Sequence, residues 1–255
     1  MKGLKELSET EFILREVRTR FNKPCQLWST GKDSTLLLWL TRRLFREVPW
    51  PVVHLDTGKH FREVYEFRDR VAREWALNLV VAKHPKAELT SPEAEGRFGC
   101  CSKLKTETLR ACIEEHRFDA VLTSIRWDEH SIRGKERYVS PRDKEFKWDY
   151  LNQDLELPSM IFTDFPGAHH LRVHPLLNWN LYEVWEYSID HRIPYNPLYL
   201  RGYTSLGCGP CTFPTLPPSK TIGEFFEKLK GAEERGGRAQ DDEYVMQRLR
   251  ALGYM

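Results

Sequence analysis

Six consecutive residues, Ser29-Thr30-Gly31-Lys32-Asp33-Ser34, separate the apolar run "CQLW" from the leucine-rich stretch "TLLLWL". They supply one glycine, one ammonium, one carboxylate and several hydroxyls, placed where a strand gives way to a helix. Backbone N–H groups at a helix start lack partners, and the helix dipole favours an anion there. Gly31 lets the backbone approach phosphate oxygens, and Ser29, Ser34 and Thr35 add hydroxyl donors. Lys32 offers a positive charge for a departing pyrophosphate, and Asp33 can take Mg²⁺ directly or through water. The same residues also fit a polar turn capped by Ser34, so the motif alone leaves two readings open. It is not a Walker loop, which frames four residues between two glycines.

Four of the six cysteines fall in two pairs: Cys100-Cys101 before "SKLKTETL", and Cys208-Gly-Pro-Cys211 in the Gly/Pro-rich "RGYTSLGCGPCTFPTLPPSKT". A Cys-x-x-Cys pair folds back so that both thiolates face one metal. A pair placed at a helix N-terminus has its thiolates stabilised by the dipole. Four thiolates hold either a [4Fe–4S] cluster or a structural zinc, and the spacing does not decide between them. Cys25 in a strand and Cys112 within a helix read as buried core thiols. A third feature, "RWDEHSIRGKERYVSPRD", concentrates charge between Arg126 and Asp143; taken alone, such a run is usually a solvated surface.

These groups need a frame. Apolar residues at helical spacing from Lys5 to Phe21 predict an opening amphipathic helix. Strand-like and helix-like segments then alternate: "CQLWS", a helix over about 34–46, "PVVHLD", "FREVYEFRDRVAREWA", "LNLVVAK", "KLKTETLRACIEEH" starting from the first cysteine pair, "FDAVLTSI", "LRVHPL", and "NLYEVWEYSIDHR" capped by Asn180. This alternation predicts a doubly wound α/β fold, a parallel five-stranded sheet with helices on both faces. Ligands of such sheets bind at the carboxyl ends of the strands. Residues 1–199 would form the nucleotide-binding domain, and 200–255 a cysteine-bearing arm and tail packed on it. The net charge of +2 does not favour a nucleic-acid partner. No apolar run reaches the ~20 residues of a membrane helix, and the polar start has no signal-peptide core, which predicts a cytoplasmic protein.

Ser-x-Gly-Lys-Asp-Ser after a first strand resembles the pyrophosphate loop of the adenine-nucleotide α-hydrolase superfamily. Within it the chain is similar to the group of sulfate adenylyltransferase small subunits and phosphoadenosine-phosphosulfate reductases. The segments "HLDTGKHFREVYEFRDR", "RWDEHSIRGKERYVSPRD", "RVHPLLNWNLYEVWEYSIDHRIPYNPLY", "ERGGR" and "DDEYVMQRLRALGYM" carry the resemblance nearly end to end. It implies nucleotide binding by Ser29, Thr30, Gly31, Lys32, Asp33, Ser34, Asp56, Thr57 and Gly58. It also implies a substrate oxyanion held by Arg126 and Arg133, with Lys135 and Arg137 as weaker candidates, and Lys32, Arg126 and Arg133 as the groups that carry the chemistry. The two cysteine pairs resemble those of cluster-bearing adenylylsulfate reductases, implying a [4Fe–4S] cluster on Cys100, Cys101, Cys208 and Cys211, with zinc as the alternative.

The resemblance points two ways. Reductases of this kind keep a nucleophilic cysteine near the chain end in a Glu-Cys-Gly-like motif, and no cysteine follows Cys211 here; they also usually lack the lysine found as Lys32. The expectation is therefore ATP cleavage at the α-phosphorus, with Mg²⁺, and transfer of the adenylyl group to sulfate or a related oxyanion. The alternatives are a cluster-bearing reductase, an ATP pyrophosphatase for tRNA or DNA sulfur insertion, and a non-catalytic nucleotide-binding redox sensor. A GTPase large subunit, or another sulfur-pathway enzyme, is the implied partner that pulls an uphill reaction.

Overall fold

The computed structural model describes residues 4–153, 156 and 163–239. The sequence segment "DDEYVMQRLRALGYM" lies outside them. Six strands form one sheet in the order β3-β2-β1-β4-β6-β5: β1 (Pro24–Leu27), β2 (Val52–Asp56), β3 (Leu79–Lys83), β4 (Ala120–Leu122), β5 (Val139–Arg142) and β6 (His170–Val173). All neighbours pair parallel except β5 with β6.

The expected five strands are present, and β5 is the correction. It belongs to the charged segment after β4, where Arg137, Pro141, Arg142 and Asp143 hide any apolar alternation. Pro141 cannot donate to a ladder, which suits the edge position that β5 occupies. Its register sets Ser140 opposite Arg172 and Arg142 opposite His170, and all four residues are buried or nearly so. The charges on this strand are interior, not the solvated surface that a charge run ordinarily makes.

Helices α1 (Leu4–Arg20), α2 (Lys32–Phe45), α3 (Arg62–Glu74), α4 (Pro92–Cys101), α5 (Thr108–His116), α6 (Leu181–Asp190) and α7 (Ile222–Leu229) cover the sheet. On one face Leu14 and Val17 of α1 and Leu36, Leu37 and Leu40 of α2 pack on Ala120, Leu122 and Val173. On the other, Leu109, Cys112 and Ile113 of α5 meet Cys25, Leu27 and Val121. Asn180 caps α6 as expected, accepting from the amides of Tyr182 and Glu183 at 3.0 Å each.

Two boundaries differ from expectation. Helix α2 starts at Lys32 with Gly31 as its uncapped N-cap, so Ser34 is not the cap. The cysteine pair does not start a helix: Cys100 and Cys101 end α4, which is kinked at Gly96 and continues through a π-helical stretch, Ser102–Glu107, into α5. The start of α4 was nevertheless written in the sequence as Ser91-Pro92, a side-chain cap on the amide of Ala94 followed by proline in the first turn.

The strand order explains where a site must lie. From β1 the chain winds outward through β2 and β3, then crosses to the other side of β1 to lay down β4. The crevice above the carboxyl ends of β1 and β4 is therefore the switch point of the sheet. The loop after β1 carries Ser29 to Ser34, and the loop after β4 carries Thr123 to Arg126. Residues about ninety positions apart arrive face to face.

Candidate functional site

A cleft opens at that switch point. Its lining includes Ser29, Gly31, Lys32, Asp33 and Ser34 from the first loop, Glu129 and Arg133 from the segment after β4, and Tyr199, Arg235 and Arg238 from further along the chain. Thr30 lies beneath the loop with φ of 65° and a buried hydroxyl without a partner. A β-branched residue in the left-handed region is strained, and strain of this kind collects at functional turns. Gly31 itself has φ of −73°, and a Cβ there would meet Ser29 Oγ at 3.4 Å, so Thr30 rather than the glycine turns the chain. Ser34 Oγ donates to the Gly31 carbonyl and lies 3.1 Å from Ser29 Oγ. Thr35 does not face the cleft; its hydroxyl accepts from the Trp28 indole N–H at 3.1 Å.

Above the loop stands a knot of buried charges. Lys32 Nζ contacts Asp33 at 2.8 Å and also pairs with Glu234, which lies 202 residues away in the chain. Arg126, fully buried, pairs with Asp33, with Glu234 at 2.5 Å and with Asp128 at 2.9 Å. Asp128 in turn accepts from the amide of Leu181 at 2.8 Å, tying the knot to the start of α6. Glu129 is held by Arg133 and by Arg235 at 3.3 Å.

The electrostatics follow from this pairing. Burial works against the Lys32 charge, but the carboxylates of Asp33 and Glu234 outweigh it and raise its pKa above the ordinary value. Arg126 is likewise raised by Asp33 and Glu234 against its own burial. Burial would raise Glu129, yet Arg133, Arg126 and Arg235 hold it well below the usual carboxylate range. The cations remain charged because the carboxylates beside them outweigh the cost of burial. One oxygen from each of Asp33, Glu129 and Glu234 lies within 4.8 Å of the others, a donor set of the hard type that suits Mg²⁺.

The remaining expected residues are placed less uniformly. Asp56, at the end of β2, accepts from the Gly58 amide at 2.8 Å and the Tyr65 hydroxyl at 2.9 Å. Thr57 Oγ1 lies 3.3 Å from Cys208 Sγ, so Asp56-Thr57-Gly58 forms a turn between the cleft and the cysteines and is not part of the cleft lining. Lys135 stands over the Tyr150 ring at 4.6 Å, and neither it nor Arg137 lines the cleft. His54 and His60 do. Burial holds the His54 imidazole at about 4, with Nδ1 on the Trp28 carbonyl at 2.9 Å, and lowers His60 as well.

Cys100, Cys101, Cys208 and Cys211 converge on one small cavity shared with Lys59, Pro92, Arg97, Lys105 and Pro210. Lys105 also lines the main cleft. Burial pushes the Cys100 thiol up to about 11, with Cys101, Cys208 and Cys211 adding to the shift, and because the pair ends α4 the helix dipole does not favour its thiolates. Cys25 and Cys112 lie in the core, as expected. Among the described residues, no three of these sulfurs come within 4.8 Å of one another. Four sulfurs around one cavity are a donor set of the type that holds either a structural zinc or an iron–sulfur cluster.

Comparison with known proteins matches residues 23–214 to the phosphoadenosine phosphosulfate reductase domain. The chain belongs to that family. Among curated relatives, "Sulfate adenylyltransferase subunit 2" of Zymomonas mobilis is 34% identical over 273 residues, covering 92% of this chain and 90% of the relative. The subunit of the same name from Rhodopseudomonas palustris strain BisA53 is 33% identical over 288 residues, covering 97% and 88%. Among solved structures, the phosphoadenylyl-sulfate reductase of Candida auris shares the fold with a TM-score of 0.58 at 20% identity, over 80% of this chain and 90% of that one. FMN adenylyltransferase of Candida glabrata in complex with ATP superposes with a TM-score of 0.63 at 20% identity, over 88% and 70%.

In this member of the reductase-domain family, sequence reasoning found one half of the knot and missed the other. Lys32, Asp33, Arg126 and Arg133 were expected; Glu234, Arg235, Arg238 and Tyr199 were not singled out. "ERGGR" and "NPLY" lay within the resembling segments, which was the available signal. Among the described residues, no helix is long and apolar enough to cross a membrane.

The buried histidines set an acid limit on stability. His54 is lowered from 6.5 to about 4 and His170 to about 2, in both cases chiefly by burial. The unfolded chain takes up these protons first, so stability present above pH 6.5 is lost as pH falls toward 4. For His54 alone the loss approaches about 3 kcal/mol at the acid end. Urea midpoints recorded between pH 7 and pH 4.5 should decline, and His54→Gln should flatten part of that decline; an unchanged slope in the variant would contradict the assignment.

Proposed function

We propose that this chain transfers the adenylyl group of ATP to sulfate, yielding adenylyl sulfate and pyrophosphate. The observation that carries the reading is the convergence of Lys32 and Arg126 on the same two carboxylates, Asp33 and Glu234. A buried lysine and a buried guanidinium, from loops after different strands, meet where an oxyanion is already stabilised. The names of the curated relatives point to the same reaction.

The chemistry asks little of proton transfer. A sulfate oxygen attacks the α-phosphorus in line, the bond to the bridging oxygen breaks, and pyrophosphate leaves with the electron pair. Sulfate is already deprotonated, so positioning and charge neutralisation lower the barrier. The Lys32 ammonium and the amides of Asp33 and Ser34 in the first turn of α2 face the outer phosphates and neutralise the leaving group. Arg126 and Arg133 hold the attacking oxyanion with planar guanidinium forks. Asp33, with Glu129 and Glu234, would hold Mg²⁺, which supplies further charge compensation on the triphosphate when bound. Asp56 shapes the neighbouring turn.

The four paired cysteines fit a [4Fe–4S] cluster by their number and their common cavity. Residues 1–199 would act as the nucleotide-binding domain and 200–255 as the cysteine-bearing arm of a cytoplasmic enzyme. A GTPase large subunit would drive the unfavourable equilibrium, in keeping with the "subunit 2" of the relatives' names. The family match to a reductase domain keeps release of sulfite from adenylyl sulfate as the second reading, favoured by the cysteine cavity beside the cleft.

Sulfate-dependent exchange of labelled pyrophosphate into ATP tests the main reading, because it reports the step without needing net product. Lys32→Ala should lower that exchange by at least about a hundredfold. Full exchange in the variant would contradict the role of Lys32, and sulfite release without exchange would favour the reductase. Anaerobically purified protein should carry about four irons per chain, the count of a [4Fe–4S] cluster; zinc without iron would overturn the cluster.

A further inference from the structure

The phenol of Tyr199 occupies a place in the first loop that the proposed reaction leaves unexplained. Tyr199 is buried, and its ring is fixed edge-on against Trp185, with centroids 4.8 Å apart and planes at 88°, and packs at a tilt on Phe225 at 5.8 Å. It stands in the short turn Pro197–Arg201, whose first residues are capped by the buried side chain of Asn196, accepting from the Leu198 amide at 3.1 Å. This support leaves the hydroxyl little freedom. Its oxygen accepts from the backbone N–H of Lys32 at 2.8 Å, so one amide of the helix start is already capped in the free protein.

A phenol that accepts one hydrogen bond still has its own proton to donate. Burial, the largest influence, pushes Tyr199 up to about 12, so that proton is present at neutral pH. Among the described residues no hydrogen bond takes it up, and Tyr199 lines the cleft. The serine hydroxyls of the loop differ: Ser34 donates to the Gly31 carbonyl, which leaves Ser29 to donate to Ser34. Tyr199 therefore brings an uncommitted hydroxyl proton to the edge of the loop, relayed from the Lys32 amide through a fixed oxygen. Polarisation along that chain strengthens the outgoing donor.

We infer that the Tyr199 hydroxyl donates a hydrogen bond to a non-bridging oxygen of the outer phosphates of the nucleotide, and so takes the anion that the Lys32 amide would otherwise bind directly. The inference rests on the proposed placement of the triphosphate in this loop. It makes Tyr199 a binding residue for the pyrophosphate half of ATP, with no contact to the adenosine half.

Tyr199→Phe removes only the hydroxyl and keeps the ring that packs on Trp185 and Phe225. Calorimetric titration of the full-length protein with MgATP, inorganic pyrophosphate and AMP separates the outcomes. The variant should bind pyrophosphate and ATP about tenfold more weakly, the loss expected for one hydrogen bond to a charged group, while AMP binds as in the wild type. Unchanged pyrophosphate affinity in the variant would overturn the inference. An equal loss for AMP would also overturn it, since that would mean the phenol only shapes the loop. Wild-type protein that binds neither ATP nor pyrophosphate would instead refute the reading of the loop itself, on which the inference stands.

Discussion

The buried knot of Lys32, Asp33, Arg126 and Glu234 is the constraint on which the rest of this structure turns. Each of these charges would be costly alone in a water-poor interior, and removing one partner of such a set typically costs about 3–5 kcal/mol. Their pairing is therefore not optional once the fold has brought them together. It joins three stretches of chain that share no local contact: the loop after β1, the loop after β4 and the arm beyond residue 230. A knot of this kind contributes little net stability compared with an apolar core. It does fix where three segments must meet, and it gathers two cations and two carboxylates beside the cleft.

The arm that supplies Glu234 is itself fastened to the cysteine loop. The amide of Ala239 donates to the Cys211 carbonyl at 3.1 Å, and the amide of Phe213 donates to the Gly237 carbonyl at 2.9 Å. A Cβ on Gly237 would stand 2.2 Å from the Phe213 carbonyl oxygen, so glycine is required for this close approach. On its other side the cysteine loop meets the turn after β2, where the Gly209 amide donates to the Lys59 carbonyl at 2.8 Å. The cysteine cavity and the main cleft thus share a wall, with Lys105 lining both, and the same backbone contacts hold the segment that carries Glu234, Arg235 and Arg238 against the cysteine loop.

Much of this was legible in the sequence, for reasons that can be named. Strands β1 to β4 are short apolar runs followed by helical periodicity, so the doubly wound fold and the location of the first loop could be read directly. Strand β5 could not, because its residues face a charged interior and the run from Arg126 to Asp143 looks like surface. The cysteine pairs were legible as pairs, but their setting within a helical run was not, since the Gly96 kink and the π-helical stretch leave no periodic signal. Lys32 and Arg126 announced themselves by type and motif. Glu234 did not: its meaning lies in a partner 202 residues away, which local pattern does not encode. Tyr199 was only the last residue of a resembling segment, and the tertiary contact with the Lys32 amide is what sets it apart.

The account stands or falls on where the triphosphate binds. A crystal structure of the full-length protein with ATP and Mg²⁺ measures this directly. The outer phosphates should rest against residues 29–34, with Lys32 and Arg126 turned from Glu234 to the nucleotide and its α-phosphorus open toward Arg133. A triphosphate bound elsewhere, with Glu234 still closed on Lys32, would contradict the central claim.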